Sequence, residues 1–198
     1  MSAAGRPRLI LASASPRRRD LLARAGYDFE VITPQVNEVV PARLTLLEAT
    51  SWNALRKGLE VARRYPDDVV LAADTLVALD HNLIGKPASR AEAARILRRL
   101  SGKTHSVASG VFIGHLRVGR SQSFTVASRV TFKRLSDKKI EEYLAQIDPL
   151  DKAGAYAAQG KGGTIIARIL GSRSNVIGLP LEKTRIALAR FEIRPKRA

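Results

Sequence analysis

Two rhythms of apolar and polar positions alternate along the chain. Continuous apolar runs predict strands at Arg8 to Ala12, Asp28 to Thr33, Val69 to Leu79, Thr104 to Gly114, Ser121 to Phe132 and Thr164 to Leu170. Between them, stretches with helical spacing predict helices. One starts at Pro16 behind a Ser15 cap, carries Leu21, Leu22 and Ala25 on one side, and stops at Gly26. A second opens on the capping box Thr45-Leu46-Leu47-Glu48 and runs to about Arg64. A third follows the box Ser89-Arg90-Ala91-Glu92 and ends near Ser101-Gly102. Ser136 caps a fourth helix to about Ile147, and Pro180 begins the last. Pro34 to Pro41, Asp80-His81-Asn82, Gly85-Lys86-Pro87 and Asp148 to Gly163 read as loops and turns. Strand and helix in alternation predict an α/β protein.

Composition narrows this picture. The 198 residues suit one large or two closely joined domains, with a core of Ala, Val, Ile and Leu, since hydrophobic residues make up 45% and aromatics only 5%. No apolar run approaches the roughly 18 residues of a membrane span, and Met1 to Pro7 has no signal-peptide apolar region. Cysteine is absent, which removes thiol catalysis and thiolate metal sites and fits a reducing compartment, so the expected setting is cytoplasmic. Lys and Arg number 34 against 18 Asp and Glu, a net charge of +16 that favours a polyanionic partner. The basic runs, among them Arg17 to Arg19, Arg63-Arg64, Arg98-Arg99 and the tail over 192–198, are scattered and carry few aromatics. They offer little stacking surface for a nucleic-acid strand, and no RNA- or DNA-binding module can be read, so a surface biased toward Arg for solubility explains most of the charge.

Familiar phosphate and metal motifs fail. Gly102-Lys103-Thr104 lacks the earlier glycine of a P-loop, because Leu97 stands there. Gly160-Lys161-Gly162-Gly163 has Ile165 in place of the third glycine of a dinucleotide fingerprint. The three histidines, His81, His105 and His115, have no zinc-type spacing.

What survives is a constellation. Arg17 and Arg18 stand in the opening turn of a helix, where a cation opposes the macrodipole at a cost of roughly 0.3–1 kcal/mol. A bound phosphate would reverse that sign; otherwise both side chains bend into water. Asp74 interrupts the most apolar strand. A carboxylate buried there must bind a metal, pair with a cation or give up its charge. Lys57 and Lys86 are cations that phosphoryl transfer could use, although lone lysines are usually solvated.

Seven stretches in register resemble the Maf family of nucleotide pyrophosphatases over about Leu9 to Phe191. They are Leu11-Ala12-Ser13-Ala14-Ser15-Pro16-Arg17-Arg18, Ala73-Asp74-Thr75, Gly85-Lys86-Pro87, Leu100-Ser101-Gly102-Lys103-Thr104-His105, Asp151-Lys152-Ala153-Gly154-Ala155-Tyr156, Gln159-Gly160, and Asn175-Val176-Ile177-Gly178-Leu179-Pro180-Leu181. The resemblance implies an elongated, mixed-sheet, inosine-triphosphatase-like fold: one domain over residues 1–198, two lobes around a central cleft, often dimeric. It implies release of pyrophosphate from nucleoside triphosphates with Mg²⁺ or Mn²⁺. Asp74 would match the family's proton acceptor; Ser13, Arg17, Arg18, Lys57, Thr75, Lys86 and Gln159 its substrate site; Glu38 and Asp74 its metal ligands. Asn37 stands where an acidic residue often precedes the glutamate, and Ser109 replaces a frequent Thr. Arg17, Thr75 and Gln159 match the dTTP/UTP subgroup; a 7-methyl-GTP subgroup tends to carry Trp, Gln and Glu there. A competing expectation, motivated by the charge, is a nucleic-acid-binding or cell-division regulator with a vestigial cleft.

Overall fold

The computed structural model describes residues 7–37 and 43–196. Seven strands form one mixed sheet in the order β2-β1-β3-β5-β6-β7, with β4 paired to β3 off that path. The strands are β1 (Leu9–Ala12), β2 (Glu30–Ile32), β3 (Val69–Leu79), β4 (Asn82–Ile84), β5 (Thr104–His115), β6 (Arg120–Phe132) and β7 (Ile166–Leu170). The helices are α1 (Pro16–Arg24), α2 (Leu46–Arg64), α3 (Arg90–Leu100), α4 (Asp137–Gln146), α5 (Arg173–Ile177) and α6 (Leu181–Arg190). β1 runs parallel to β2 and β3, and the remaining pairings are antiparallel. Among the described residues no helix is long and apolar enough to cross a membrane.

Side-chain alternation along β3 sorts the core. Val69, Leu71 and Ala73 belong to a cluster with Leu22 of α1, Ile113 of β5 and Leu188 of α6. Val77 and Leu79, of the same parity, belong to a second cluster with Leu97 of α3, Phe132 of β6 and Ile140 of α4. Val70 and Ala72 point the other way, against Val61 and Ala62 of α2. One face of the sheet therefore carries two apolar cores, and α2 covers the opposite face.

Between the two cores lies a polar notch. Thr75 is in register with Ser109 of β5, and their hydroxyls lie 2.8 Å apart. Ser128 of β6 is the third member. The short helix α5 sits in this notch. Ser109 donates to the Asn175 carbonyl at 3.3 Å, Ser128 donates to the Ser172 carbonyl at 3.0 Å, and Asn175 Nδ2 donates to Val107 O and Ser128 Oγ at 3.1 and 3.0 Å. Buried polar atoms of the sheet thus find partners in α5.

Several local expectations need revision. Glycine at 26 does end the first helix, through its positive φ of 83°, but Ser15 makes no side-chain cap; its N–H donates instead to Ser13 Oγ. The Thr45–Glu48 capping box is complete, whereas the Glu92 carboxylate accepts from Ala88 N rather than closing a box on Ser89. Asp80 and His81 adopt φ of 49° and 67°. They form a two-residue hairpin turn that returns the chain as β4, a strand absent from the sequence reading. β7 begins at Ile166, not Thr164, because 160–165 is wound into 3₁₀ turns.

The helix α2 lies unusually close to the sheet. A Cβ on Gly110 would stand 2.4 Å from the Thr50 carbonyl oxygen, and one on Gly58 would stand 2.0 Å from the Phe112 ring. Gly110 is the register partner of Asp74. The two glycines let the helix descend onto β5, beside the strand that carries the acid.

Candidate active site

The outer edge of β3 is paired twice, by different strands. β1 covers it up to Ala72 and β4 covers it from Val77. Residues 73–76 lie between, with no ladder partner on that side among the described residues, at the carboxyl end of the parallel strand β1. Ligands of open α/β sheets bind in such crevices. A pocket of about 290 Å³ opens there, and because the sheet is interrupted it reaches side chains from both faces: Asp74 and Lys57 from the α2 face, Thr75 from the other.

Ser13, Arg17, Arg18, Lys57, Asp74, Thr75 and Lys86 all line this pocket. Gln159 does not line it; it is half-buried and directly follows the lining Ala158. Glu38 lies outside the described residues. Asp151, Lys152 and Tyr156 also line the pocket, although sequence reasoning gave them no role. Five lining cations, Arg17, Arg18, Lys57, Lys86 and Lys152, face two carboxylates. An excess of fixed positive charge in a concave site concentrates anions.

Asp74 is 2% exposed and Lys57 5%. Of the outcomes open to a buried carboxylate, the fold takes cation pairing: Lys57 Nζ donates to Asp74 Oδ1 at 2.7 Å, and Asn53 Nδ2 donates to Oδ2 at 3.2 Å. Asn53 and Lys57 are four residues apart on α2, so they share one helix face. Asn53 was missed, yet it had a signal. It breaks the stripe of small and apolar residues that α2 buries, one turn before Lys57.

The two helix-opening arginines neither bend into water nor stand idle. Arg18 is buried; its Nε donates to the Gly178 carbonyl at 2.9 Å, its Nη1 to Ser13 Oγ at 3.3 Å and its Nη2 to Thr75 Oγ1 at 3.2 Å. It ties α1, the end of α5 and the β3 notch together beneath the pocket. Arg17 reaches across the mouth, donating to Asp151 Oδ2 at 2.5 Å and to the Asp151 carbonyl at 3.0 Å. Burial pushes the Asp151 carboxyl up, but hydrogen bonds from Lys152 and Arg17 outweigh it and hold it below the ordinary carboxylate value.

The wall at 153–158 is braced from behind. Tyr143 accepts from Ala157 N at 3.2 Å and donates to the Gly162 carbonyl at 3.1 Å. Tyr156 hydrogen-bonds His105 Nε2 at 2.9 Å, and the two rings meet edge-to-face with Phe132. Burial alone lowers the His105 pKa from 6.5 to about 4. The folded chain keeps this imidazole neutral, while the unfolded chain protonates it below pH 6.5. Stability contributed by the neutral ring is therefore present above that pH and is lost as pH falls toward 4, by at most about 3 kcal/mol. Urea unfolding between pH 7 and 4 should show this slope, and His105→Gln should flatten it.

The donor set bears on metal binding. No group of three His, Asp or Glu is placed to hold an ion among the described residues. Asp74 nevertheless offers hard oxygen atoms to the pocket, and each carboxylate oxygen keeps acceptor capacity beyond its one bond to Lys57 or Asn53. That suits a small cation carried in on substrate oxygens, since Mg²⁺ takes few protein ligands and keeps waters and phosphates. It does not suit an all-protein cage.

Comparison with known proteins gives the family. The family model described as Maf-like protein matches residues 8–191. A dTTP/UTP pyrophosphatase of Bacillus pumilus strain SAFR-032 is 41% identical over 187 residues, 94% of this chain and 98% of that protein. One from Dictyoglomus turgidum strain DSM 6724 is likewise 41% identical, over 94% of this chain and 97% of its own. The solved Ham1 protein of Staphylococcus aureus shares the fold at a TM-score of 0.51 and 16% identity, covering 92% of this chain and 98% of that one. With a match across nearly its whole length and relatives at this identity, the chain belongs to the Maf family.

Proposed function

We propose that the protein is a nucleoside triphosphate pyrophosphatase that hydrolyses dTTP and UTP to the monophosphate and pyrophosphate. The observation that carries this is the interrupted sheet edge, where a buried, oriented carboxylate faces a pocket ringed by five cations. The identity to dTTP/UTP pyrophosphatases over almost the full chain supports the reaction and the substrates. A vestigial cleft is not favoured, because acid and cations remain assembled in one pocket.

In this reading Arg17, Arg18, Lys57, Lys86 and Lys152 neutralise the phosphate chain, and the scissile α–β linkage comes to rest against Asp74. Catalysis here is mainly placement and charge stabilisation. Lys57 and Asn53 fix the carboxylate plane of Asp74 from behind, leaving its free lone pairs toward the pocket. Asp74 accepts the proton of the attacking water as its oxygen bonds to the α-phosphorus and the bond to the β-phosphate oxygen breaks. A Mg²⁺ or Mn²⁺ ion held by Asp74 and Glu38 would supply Lewis-acid stabilisation and a more acidic water. Thr75, whose hydroxyl is already fixed by Ser109 and Arg18, together with Arg17 and Gln159, carries the preference for a pyrimidine nucleotide. The same reading makes the chain one cytoplasmic domain of two lobes, able to pair as a homodimer.

A nucleotide panel tests it. With Mg²⁺ or Mn²⁺ present, dTTP and UTP should release pyrophosphate without orthophosphate, well ahead of 7-methyl-GTP. Preferential cleavage of 7-methyl-GTP would reassign the subgroup. Inactivity on every nucleotide, with salt-sensitive DNA binding, would return the charge to nucleic acid.

A further inference from the structure

The Arg17–Asp151 contact spans 134 residues of sequence and joins the start of α1 to the loop that forms the opposite wall. Asp151 engages two lining cations at once: Arg17 through Oδ2 and Lys152 through Oδ1. Lys152 Nζ is further held by the Asp148 carbonyl at 2.6 Å. The side chains of Arg17 and Lys152 are 20% and 14% exposed, whereas that of Asp151 is 42% exposed. The acid of this triad is therefore the member with a path to water. The wall behind it is fixed by Gly154 N donating to the Gly85 carbonyl and by the buried Ala155 and Tyr156, so the carboxylate can leave without moving the loop.

Resting on the nucleotide reading above, we infer that Asp151 is a built-in competitor for the pocket: its carboxylate holds the places on Arg17 and Lys152 that phosphate oxygens of the substrate take over. Arg17 gives the carboxylate one N–H, from Nη1, while Nη2 holds the Asp151 carbonyl; a phosphate oxygen can take the Nη1 place with little change of geometry. The Lys57–Asp74 pair is unsuited to such exchange, being buried on both sides. A triphosphate, with the most charge, displaces Asp151 best. The monophosphate and pyrophosphate left after cleavage carry less charge each, and Asp151 competes with them more successfully. Asp151 is thus a positioning residue that trades substrate affinity for product release.

This gives a sign opposite to that of a structural ion pair. Loss of a bridge that merely braces the mouth weakens anion binding; loss of a competitor tightens it. The test is calorimetric titration of the full-length protein with inorganic tripolyphosphate in EDTA, for wild type, Asp151→Asn and Asp151→Glu. Asp151→Asn should bind about five- to tenfold more tightly, and Asp151→Glu within about twofold of wild type. In turnover assays Asp151→Asn should lower KM and sharpen inhibition by pyrophosphate. Unchanged or weaker binding by Asp151→Asn overturns the proposal, as does binding by neither protein. Should Asp151→Asn not fold, Asp151→Ser takes its place, and failure of both to fold makes the carboxylate structural and overturns it as well. Failure of the pyrophosphatase reading looks different: wild type would bind tripolyphosphate yet release no pyrophosphate from any nucleotide.

Discussion

Replacing Asp74 with Asn should lower turnover of dTTP by about a thousandfold or more while leaving the fold in place. A general base contributes on the order of 10²–10⁴, and an amide has no basic oxygen with which to take the proton of the attacking water. Asn is nearly isosteric, and its Oδ1 can still accept from Lys57 or Asn53, both of which lie within 3.2 Å of the carboxylate. The substitution removes charge without opening a cavity. Circular dichroism should stay close to wild type, thermal unfolding should shift down because the Lys57 ammonium, 5% exposed, loses its counter-charge, and KM should move far less than kcat. A variant that turns over at the wild-type rate removes Asp74 from the chemistry.

Replacing Lys57 with Met should destabilise the chain by about 3–5 kcal/mol, the range for stripping one partner from a buried ion pair. Asp74, 2% exposed, would keep only Asn53 as a side-chain donor among the described residues. The double variant Lys57→Met with Asp74→Asn should recover a large part of that loss, because it no longer buries an unpaired charge. The coupling in such a cycle isolates the pair. Thermal unfolding of wild type, the two single variants and the double variant measures it. Additive effects would mean that the two side chains do not depend on each other in the folded state.

How much of this was legible in the sequence follows from which forces are local. The bounds of β3 could be read from its apolar run, and the complete Thr45–Glu48 capping box fixed the start of α2. The α/β class followed from the alternation of elements, and the mixed sheet only from the family resemblance. The interruption in the sheet could not be read, because it depends on β4. That strand has three residues, too few for a pattern, and its pairing rests on Asp80 and His81 entering a backbone region that non-glycine residues rarely use. Arg18 was read as a phosphate ligand. It lines the pocket, and its donors also meet Gly178, Ser13 and Thr75; those contacts were not legible, since α5, five residues long, gives no periodic signal and yet delivers the Gly178 carbonyl. Lys57 looked like a lone surface lysine, and only the close descent of α2 over Gly110 makes it the partner of Asp74. Ser109, noted as a departure from a frequent Thr, still supplies the hydroxyl that the Thr75 contact needs.

In the proposed reaction, water attacks the α-phosphorus of a nucleoside triphosphate beside Asp74. Hydrolysis of dTTP in H₂¹⁸O, with mass spectrometry of both products, tests it most directly. One ¹⁸O atom should appear in the thymidine monophosphate and none in the pyrophosphate. Label in the pyrophosphate, or stepwise appearance of labelled orthophosphate, would contradict it.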